Sequence, residues 1–288
     1  MIFLKFIKLP KLNLLGCICS ALFFSLFNVP RTFSHPDTLV RIAEISSGMV
    51  KDGESVSLLT QRGNLFLEHS EFDKAENDFN SALKLNPDFW EAVYGKAQVF
   101  SSNRKLQEAL NLLKTLDQCP IKSNCRTSSL YLRAQLFSQI KDNKQALENL
   151  NELVKELEDP DPSLYLWRAD LCEQSGDAKL SLTGLLEGLE RHPNVPSLVD
   201  KVIVLQEGLG QIEQAVVLLD QVIEAAPRKD QLLLRKSELL LRHGKIKESR
   251  VAAQRGLEEL KLLPKPVQER AAIVEERDKL LALSKFII

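Results

Sequence analysis

The side chains that could carry chemistry are few, and their spacing does not bring them together. Histidine occurs four times, at His35, His69, His192 and His243. None has a second ligand four residues along a helix, so none starts a metal site or a proton relay. Carboxylates number 39, but the adjacent pairs Glu258-Glu259 and Glu275-Glu276 diverge on a helix and do not converge on one substrate atom. The chain has no glycine-rich phosphate loop, no G-x-S-x-G and no H-E-x-x-H. It reads as a non-enzyme that needs neither cofactor nor metal.

What the residues do carry is a period. A pattern near 34 residues recurs from Val56, with copies at 56–89, 90–123, 127–160, 162–195, 196–229 and 230–263. The fourth position is Leu59, Val93, Leu130, Tyr165, Val199 and Leu233 in turn. The eighth is Gly63, Ala97, Ala134, Ala169, Ile203 and Ser237, and the twentieth is Ala75, Ala109, Ala146, Ser181, Ala215 and Ser249. Positions 4, 7, 8 and 11 share one face of a helix, as do 20, 24 and 27. Small residues at 8 and 20 let two helices approach, and bulky ones such as Phe66 and Phe79 fill the space beside them. Pro87, Pro193 and Pro227 end second helices. Turn-prone triplets such as His69-Ser70-Glu71 and Ser175-Gly176-Asp177 stand between the helices.

This pattern resembles the tetratricopeptide repeat family, and the resemblance covers more than 70% of the chain. It implies an all-α fold: an α-solenoid of about six helix–turn–helix repeats, with a helix before and a capping helix after. Ile203, at a position that is otherwise small, predicts a slightly wider fifth hairpin. Gly188 and Gly256 inside second helices are each expected to cost about 1 kcal/mol relative to Ala. The interval between the second and third copies carries an insertion at 119–125, where solenoids place loops.

The flanks are different. In residues 1–34, Lys5, Lys8 and Lys11 precede an apolar run from Leu14 to Phe27, followed by Thr32-Phe33-Ser34. That is the layout of a secretory signal peptide, which predicts an exported protein, periplasmic or secreted. The alternative is an uncleaved anchor over residues 12–29, the only membrane contact the sequence offers, facing outside the cytoplasm. Leu14-Leu15-Gly16-Cys17 is a weak lipoprotein box, because its apolar run follows the cysteine. Without residues 1–34, 34 basic residues face 39 acidic ones, a net charge of −5 and no clustered basic patch for nucleic acid.

Residues 35–55 form an N-terminal helix and linker, with Leu39, Ile42, Ile45 and Val50 as the apolar stripe between Asp37 and Val50. Residues 264–288 hold a capping helix from Pro266 onward, with Ile273, Val274, Leu280, Leu281 and Leu283, and its end Phe286-Ile287-Ile288 is expected to tuck against that cap. Cys172 falls at a core position and reads as an inert buried thiol. Cys119 and Cys125 flank the insertion, and export would allow them a disulfide worth about 2–3 kcal/mol in the chain-entropy model. Two solvent-facing thiols are the alternative. Zinc is disfavoured by their spacing and by the lack of a second ligand pair.

Function then falls to the concave face. By resemblance to the family, positions 2, 5, 6, 9, 12 and 13 of each first helix point into it. Those positions supply Asn64, Tyr94, Gln98, Tyr131, Gln135, Leu166, Trp167 and Asp170. Amides there could bond the backbone of an extended peptide, and aromatics could supply apolar area. The expectation is a scaffold or adaptor binding partner proteins or extended peptides. A membrane-tethered assembly factor and an accessory subunit of an enzyme complex are the alternatives. Thr60 and Gly95 stand where a carboxylate-gripping variant of the repeat would need charged residues or their partners.

Overall fold

The computed structural model describes residues 36–285, and among them every regular element is a helix. The signal or anchor read into residues 1–34, and the tail Phe286-Ile287-Ile288, lie outside the described residues. Close backbone contacts divide the chain into two units, residues 36–160 and residues 161–285 of the described part.

In the first unit, α1 (Pro36–Asp52) precedes three hairpins. These are α2 (Val56–Glu68) with α3 (Phe72–Leu85), α4 (Trp90–Ser102) with α5 (Leu106–Thr115), and α6 (Asn124–Gln139) with α7 (Asn143–Glu156). In the second unit the hairpins are α8 (Pro162–Gln174) with α9 (Ala178–Arg191), α10 (Pro196–Gly208) with α11 (Ile212–Ala225), and α12 (Asp230–Arg242) with α13 (Ile246–Lys261). A short α14 (Lys265–Gln268) and then α15 (Ala271–Ser284) complete it. The single final helix expected from Pro266 is thus two, parted where Arg270 takes an extended backbone (φ −67, ψ 136).

Each hairpin turns the same way, and the reason is local. One residue per turn adopts positive φ: Ser70, Arg104, Lys141, Gly176, Gly210 and Gly244, at 60 to 78°. The next N–H then reaches back to close the first helix, as in Glu71 N to Phe66 O at 2.8 Å and Asp177 N to Cys172 O at 2.9 Å. This is the Schellman closure, repeated six times at the fifteenth position of the period. Helix starts are capped by short polar side chains: Ser55 accepts from Leu58 N, Asp142 from Gln145 N and Asp177 from Leu180 N.

Packing explains the small positions. Phe79 on α3 is fully buried between α2 and α4. A Cβ added at Gly63 would lie 2.8 Å from its ring, and one at Gly95 2.4 Å. Gly188 and Gly256 prove to be close-approach sites and not simple helix defects. A Cβ there would meet Tyr165 at 2.8 Å and Leu280 at 2.9 Å, so the helical penalty is offset by the contact it permits. In the sixth repeat both small positions are serines, and Ser237 and Ser249 satisfy each other across the helix pair, each hydroxyl donating to the other's carbonyl at 2.8 Å. Branched Ile203 sits between α10 and α11, which approach each other least of the six hairpins.

The N-terminal helix departs from the expected stripe, and the C-terminal cap follows it. On α1, Met49 and Ile45 enter the first core with Leu59 and Phe79, whereas Val50 is 89% exposed and Leu39 is exposed too. At the other end Ile273 and Leu280 of α15 seal a core with Ala253 and Leu260.

Candidate partner-binding face

First helices pack side by side as α2 with α4 and α4 with α6 in the first unit, and as α8 with α10 in the second. The residues they turn outward form the candidate face. In the first unit it holds Asn64, Tyr94, Gln98, Tyr131 and Gln135. Tyr94 rests on the core that contains Leu113, Leu132 and Leu136. Burial pushes its phenol above the ordinary tyrosine range, and the nearby Tyr131 phenol adds to the shift. The two phenols, on the packed helices α4 and α6, thus stand within electrostatic reach of each other. Tyr131 is 38% exposed, Gln98 and Gln135 are half-buried, and Asn64 is exposed. Thr60, at the matching position of α2, is buried and bonds its own helix at Val56 O, 2.8 Å away.

Two polar atoms on this face went unnoticed in the sequence. Glu91, almost one turn before Tyr94, has a carboxylate oxygen shielded from solvent with no hydrogen-bond partner, and the Ser138 hydroxyl is in the same position. They stand at the second and twelfth positions, both inward by the family pattern. A buried acceptor without a donor costs about 1–3 kcal/mol, which a donor brought by a ligand would recover. Only packing, which a sequence does not display, could have singled them out.

In the second unit the inner face is closed by charge. Lys201 on α10 bridges Asp170 at 3.0 Å and Glu173 at 2.9 Å on α8. Arg235 pairs with Asp200, and Arg242 grips Glu207 through two bonds of 2.9 and 3.0 Å, joined by His243 at 3.0 Å. Hydrogen bonding from Arg242, then from His243, holds the Glu207 carboxyl below its usual range. Asp170 is thus engaged by the next repeat. Leu166 and Trp167 are half-buried, and Trp167 already has interactions of its own. The candidate residues therefore fall into two groups: an uncharged set of amides and phenols in one unit, and an apolar pair beside a salt-bridged ladder in the other.

The seventh position, on the helix face shared with the core, turns out to be basic in five repeats of six: Arg62, Lys96, Arg133, Arg168 and Lys236. Arg62 forks onto Asp78 at 2.6 and 2.7 Å. Arg133 meets Asp117 at 2.6 Å, and Arg168 meets Gly184 O at 2.9 Å and Glu187 at 2.7 Å. Bidentate pairs of this sort fix helix register as well as adding energy.

Cys119 and Cys125 are joined sulfur to sulfur, with Cα atoms 6.1 Å apart. The loop they close is also held to α7, because Glu156 accepts from Arg126 Nε at 2.5 Å and from Lys122 N at 3.0 Å. Cys172 is buried and free, and burial raises its thiol above the ordinary range. Among the described residues no cluster of His, Cys, Asp or Glu could hold a metal, and no helix is long and apolar enough to cross a membrane.

Comparison with known proteins agrees with this architecture. Residues 60–120 match the family model described as Tetratricopeptide repeat. DnaJ homolog subfamily C member 3 of Gallus gallus is 26% identical over 191 residues, 58% of this chain and 38% of that protein. Its Homo sapiens counterpart is 30% identical over 146 residues, 45% of this chain and 28% of that one. The chain thus spans well under half the length of either relative. Among solved structures, Naa15/Naa10 bound to HypK-THB shares the fold with a TM-score of 0.54 at 19% identity, covering 79% of this chain and 34% of that one.

Proposed function

Because the chain belongs to the tetratricopeptide repeat family, whose members generally bind protein partners, we propose that it is a non-catalytic scaffold that docks an extended peptide segment on the first-helix face of residues 56–160. One observation carries the reading. This face presents Tyr94 and Tyr131 within electrostatic reach of each other among uncharged amides, with the Glu91 and Ser138 acceptors lacking partners, whereas the corresponding face of the second unit is occupied by its own ion pairs. Extended backbone supplies N–H donors at regular intervals, which suits acceptors repeated from helix to helix. The two phenols add apolar area at low entropic cost. Leu166 and Trp167 are the candidates on the second unit's own first-helix face and stand apart from this proposal.

The scaffold is proposed to act after export directed by residues 1–34. The charge and apolar layout of that segment supports this, as does the joined Cys119–Cys125 pair, since oxidising compartments sustain such bonds. Mass measurement of the mature protein tests cleavage; an intact N-terminus would count against it and favour the uncleaved anchor over residues 12–29.

Docking is tested by replacing Tyr94 and Tyr131 with Ala together and capturing partners from the exported fraction. Loss of capture with helicity retained is expected. Capture at wild-type levels would refute the face.

A further inference from the structure

The seventh position supplies a second site, on another side of the molecule. Arg133 meets Asp117, which stands sixteen residues before it, at 2.6 Å. Lys236 meets Asp220, at the same interval, at 2.5 Å. Arg62 reaches Ser46 by the same count, at 3.1 Å. In the second repeat the cation is Lys96, and the residue sixteen before it is Asn80. A neutral amide therefore stands where two sister repeats place a carboxylate. Lys96 makes no ion pair among the described residues; its ammonium lies 5.5 Å from the centroid of the Phe100 ring.

Beside Lys96 opens a cleft of about 550 Å³ lined by Asn77, Asn80, Ser81, Leu83, Lys84 and Lys96. Four of these recur along one face of α3 at helical spacing, so the two ammoniums, two amides and a hydroxyl are turned toward the same space. No acid lines it. Every polar group there can donate to an oxyanion, and the two lysines supply charge. The volume far exceeds one carboxylate, so the occupant is a chain that brings its carboxylate in.

We propose that this cleft binds an acidic segment of a partner protein, with an Asp or Glu carboxylate of that segment taking, beside Lys96, the place that Asp117 and Asp220 hold in the sister repeats. The site does not rest on the groove reading. Lys96 is two residues from Tyr94 and from Gln98, about 200° round α4 from either, so the two sites fail or stand separately.

The test is calorimetric titration of the full chain at low ionic strength with a Glu/Ser peptide, with its Gln/Ser counterpart, and with inorganic phosphate. The Glu peptide is expected to bind and the Gln peptide not to. Asn80→Asp, which supplies the carboxylate from within, and Lys96→Gln should each weaken binding by about tenfold or more. Lys114→Gln, an equal charge change on α5, should leave it within about twofold. Circular dichroism checks that each variant is folded, and should Lys96→Gln misfold, Asn80→Asp alone decides. Three results would overturn the proposal: no binding of the Glu peptide, equal binding by wild type and Asn80→Asp, or saturation by phosphate with no affinity for the peptide.

Discussion

At the scale of single residues, the fifteenth position of the repeat is where backbone conformation and side chain disagree most. Gly176, Gly210 and Gly244 meet the left-handed turn without strain, but Ser70, Arg104 and Lys141 hold the same conformation with a Cβ. Left-handed backbone costs a non-glycine residue about 1 kcal/mol or more, part of which glycine's freedom in the unfolded chain offsets. Ser70→Gly, Arg104→Gly and Lys141→Gly are therefore each expected to stabilise by about 0.5–1 kcal/mol, read as an upward shift in thermal midpoint. A fall in midpoint would show that these side chains do something the turn does not reveal. Gly95 and Gly48 make the opposite pair. A Cβ at Gly95 collides with Phe79, whereas one at Gly48 in α1 meets nothing within 4 Å. Gly95→Ala should cost about 1–3 kcal/mol, and Gly48→Ala should gain up to about 1 kcal/mol; chemical denaturation separates them.

Those residues also show what the sequence could tell. The small eighth and twentieth positions were legible because each recurs down the chain and no loop would require it. The meaning of Gly188 and Gly256 was not, because it depends on which large side chain faces them: Tyr165 in one case, Leu280 in the other. The basic seventh position is visible in the sequence once known. It was passed over because a residue on a core-facing stripe reads as apolar, while a long Arg or Lys can lay its stem on the core and carry its charge to a neighbouring helix.

At the scale of elements, the cap shows how a helix can be held by groups that titrate. Glu276 on α15 and Asp230 at the start of α12 are both nearly buried, 6% and 1% exposed. Arg228 bonds Asp230 at 3.0 Å and lies 3.9 Å from Glu276. Burial, then the neighbouring Asp230, pushes the Glu276 carboxyl up to about 7. Burial also works against ionised Asp230, but bonds from Arg228 and from Glu276 hold it below its usual value. For Glu276 the folded value exceeds the unfolded one, so the folded protein binds the extra proton between about 4.5 and 7. Its contribution is full below that window and is lost as pH rises through 7. Hydrogen exchange should accordingly report looser protection of α15 at pH 8 than at pH 6. Glu276→Gln, a permanent neutral donor, should flatten the difference, and an unchanged pH dependence in that variant would contradict the assignment. The other element tied down from outside is the insertion loop. Replacing both Cys119 and Cys125 with Ser should cost up to about 2 kcal/mol of global stability, and the Arg126–Glu156 contact should keep the loop's neighbours protected in the variant.

The elements themselves were largely readable. Hairpin turns, helix pairing and a terminal cap all follow from a period in which no single copy can bury its own apolar face. The break at Arg270 was hidden, because the sequence from Pro266 onward reads as one helical stretch. The buried Asp230–Glu276 pair was hidden as well, since the two residues come from opposite ends of the second unit's last elements.

At the scale of the whole molecule, both units use one repeat grammar and spend their inner faces differently. Residues 161–285 fill theirs with the ion pairs of Lys201, Arg235 and Arg242, whereas residues 36–160 place uncharged phenols and amides there, beside the Glu91 and Ser138 oxygens that have no hydrogen-bond partner. The inward positions were legible by resemblance, but their state of satisfaction was not, because Asp170 and Gln98 occupy the same register and only contacts distinguish a residue already engaged from one still able to bind. The account stands on that distinction, and site-specific photo-crosslinking tests it most directly. With a benzophenone side chain placed in turn at Gln98, Gln135, Glu108 and Glu148 of the full chain, partner adducts should form from Gln98 and Gln135 on the first helices. They should be absent from Glu108 and Glu148 on the second helices. Equal yields from all four positions, or adducts from the second helices alone, would contradict it.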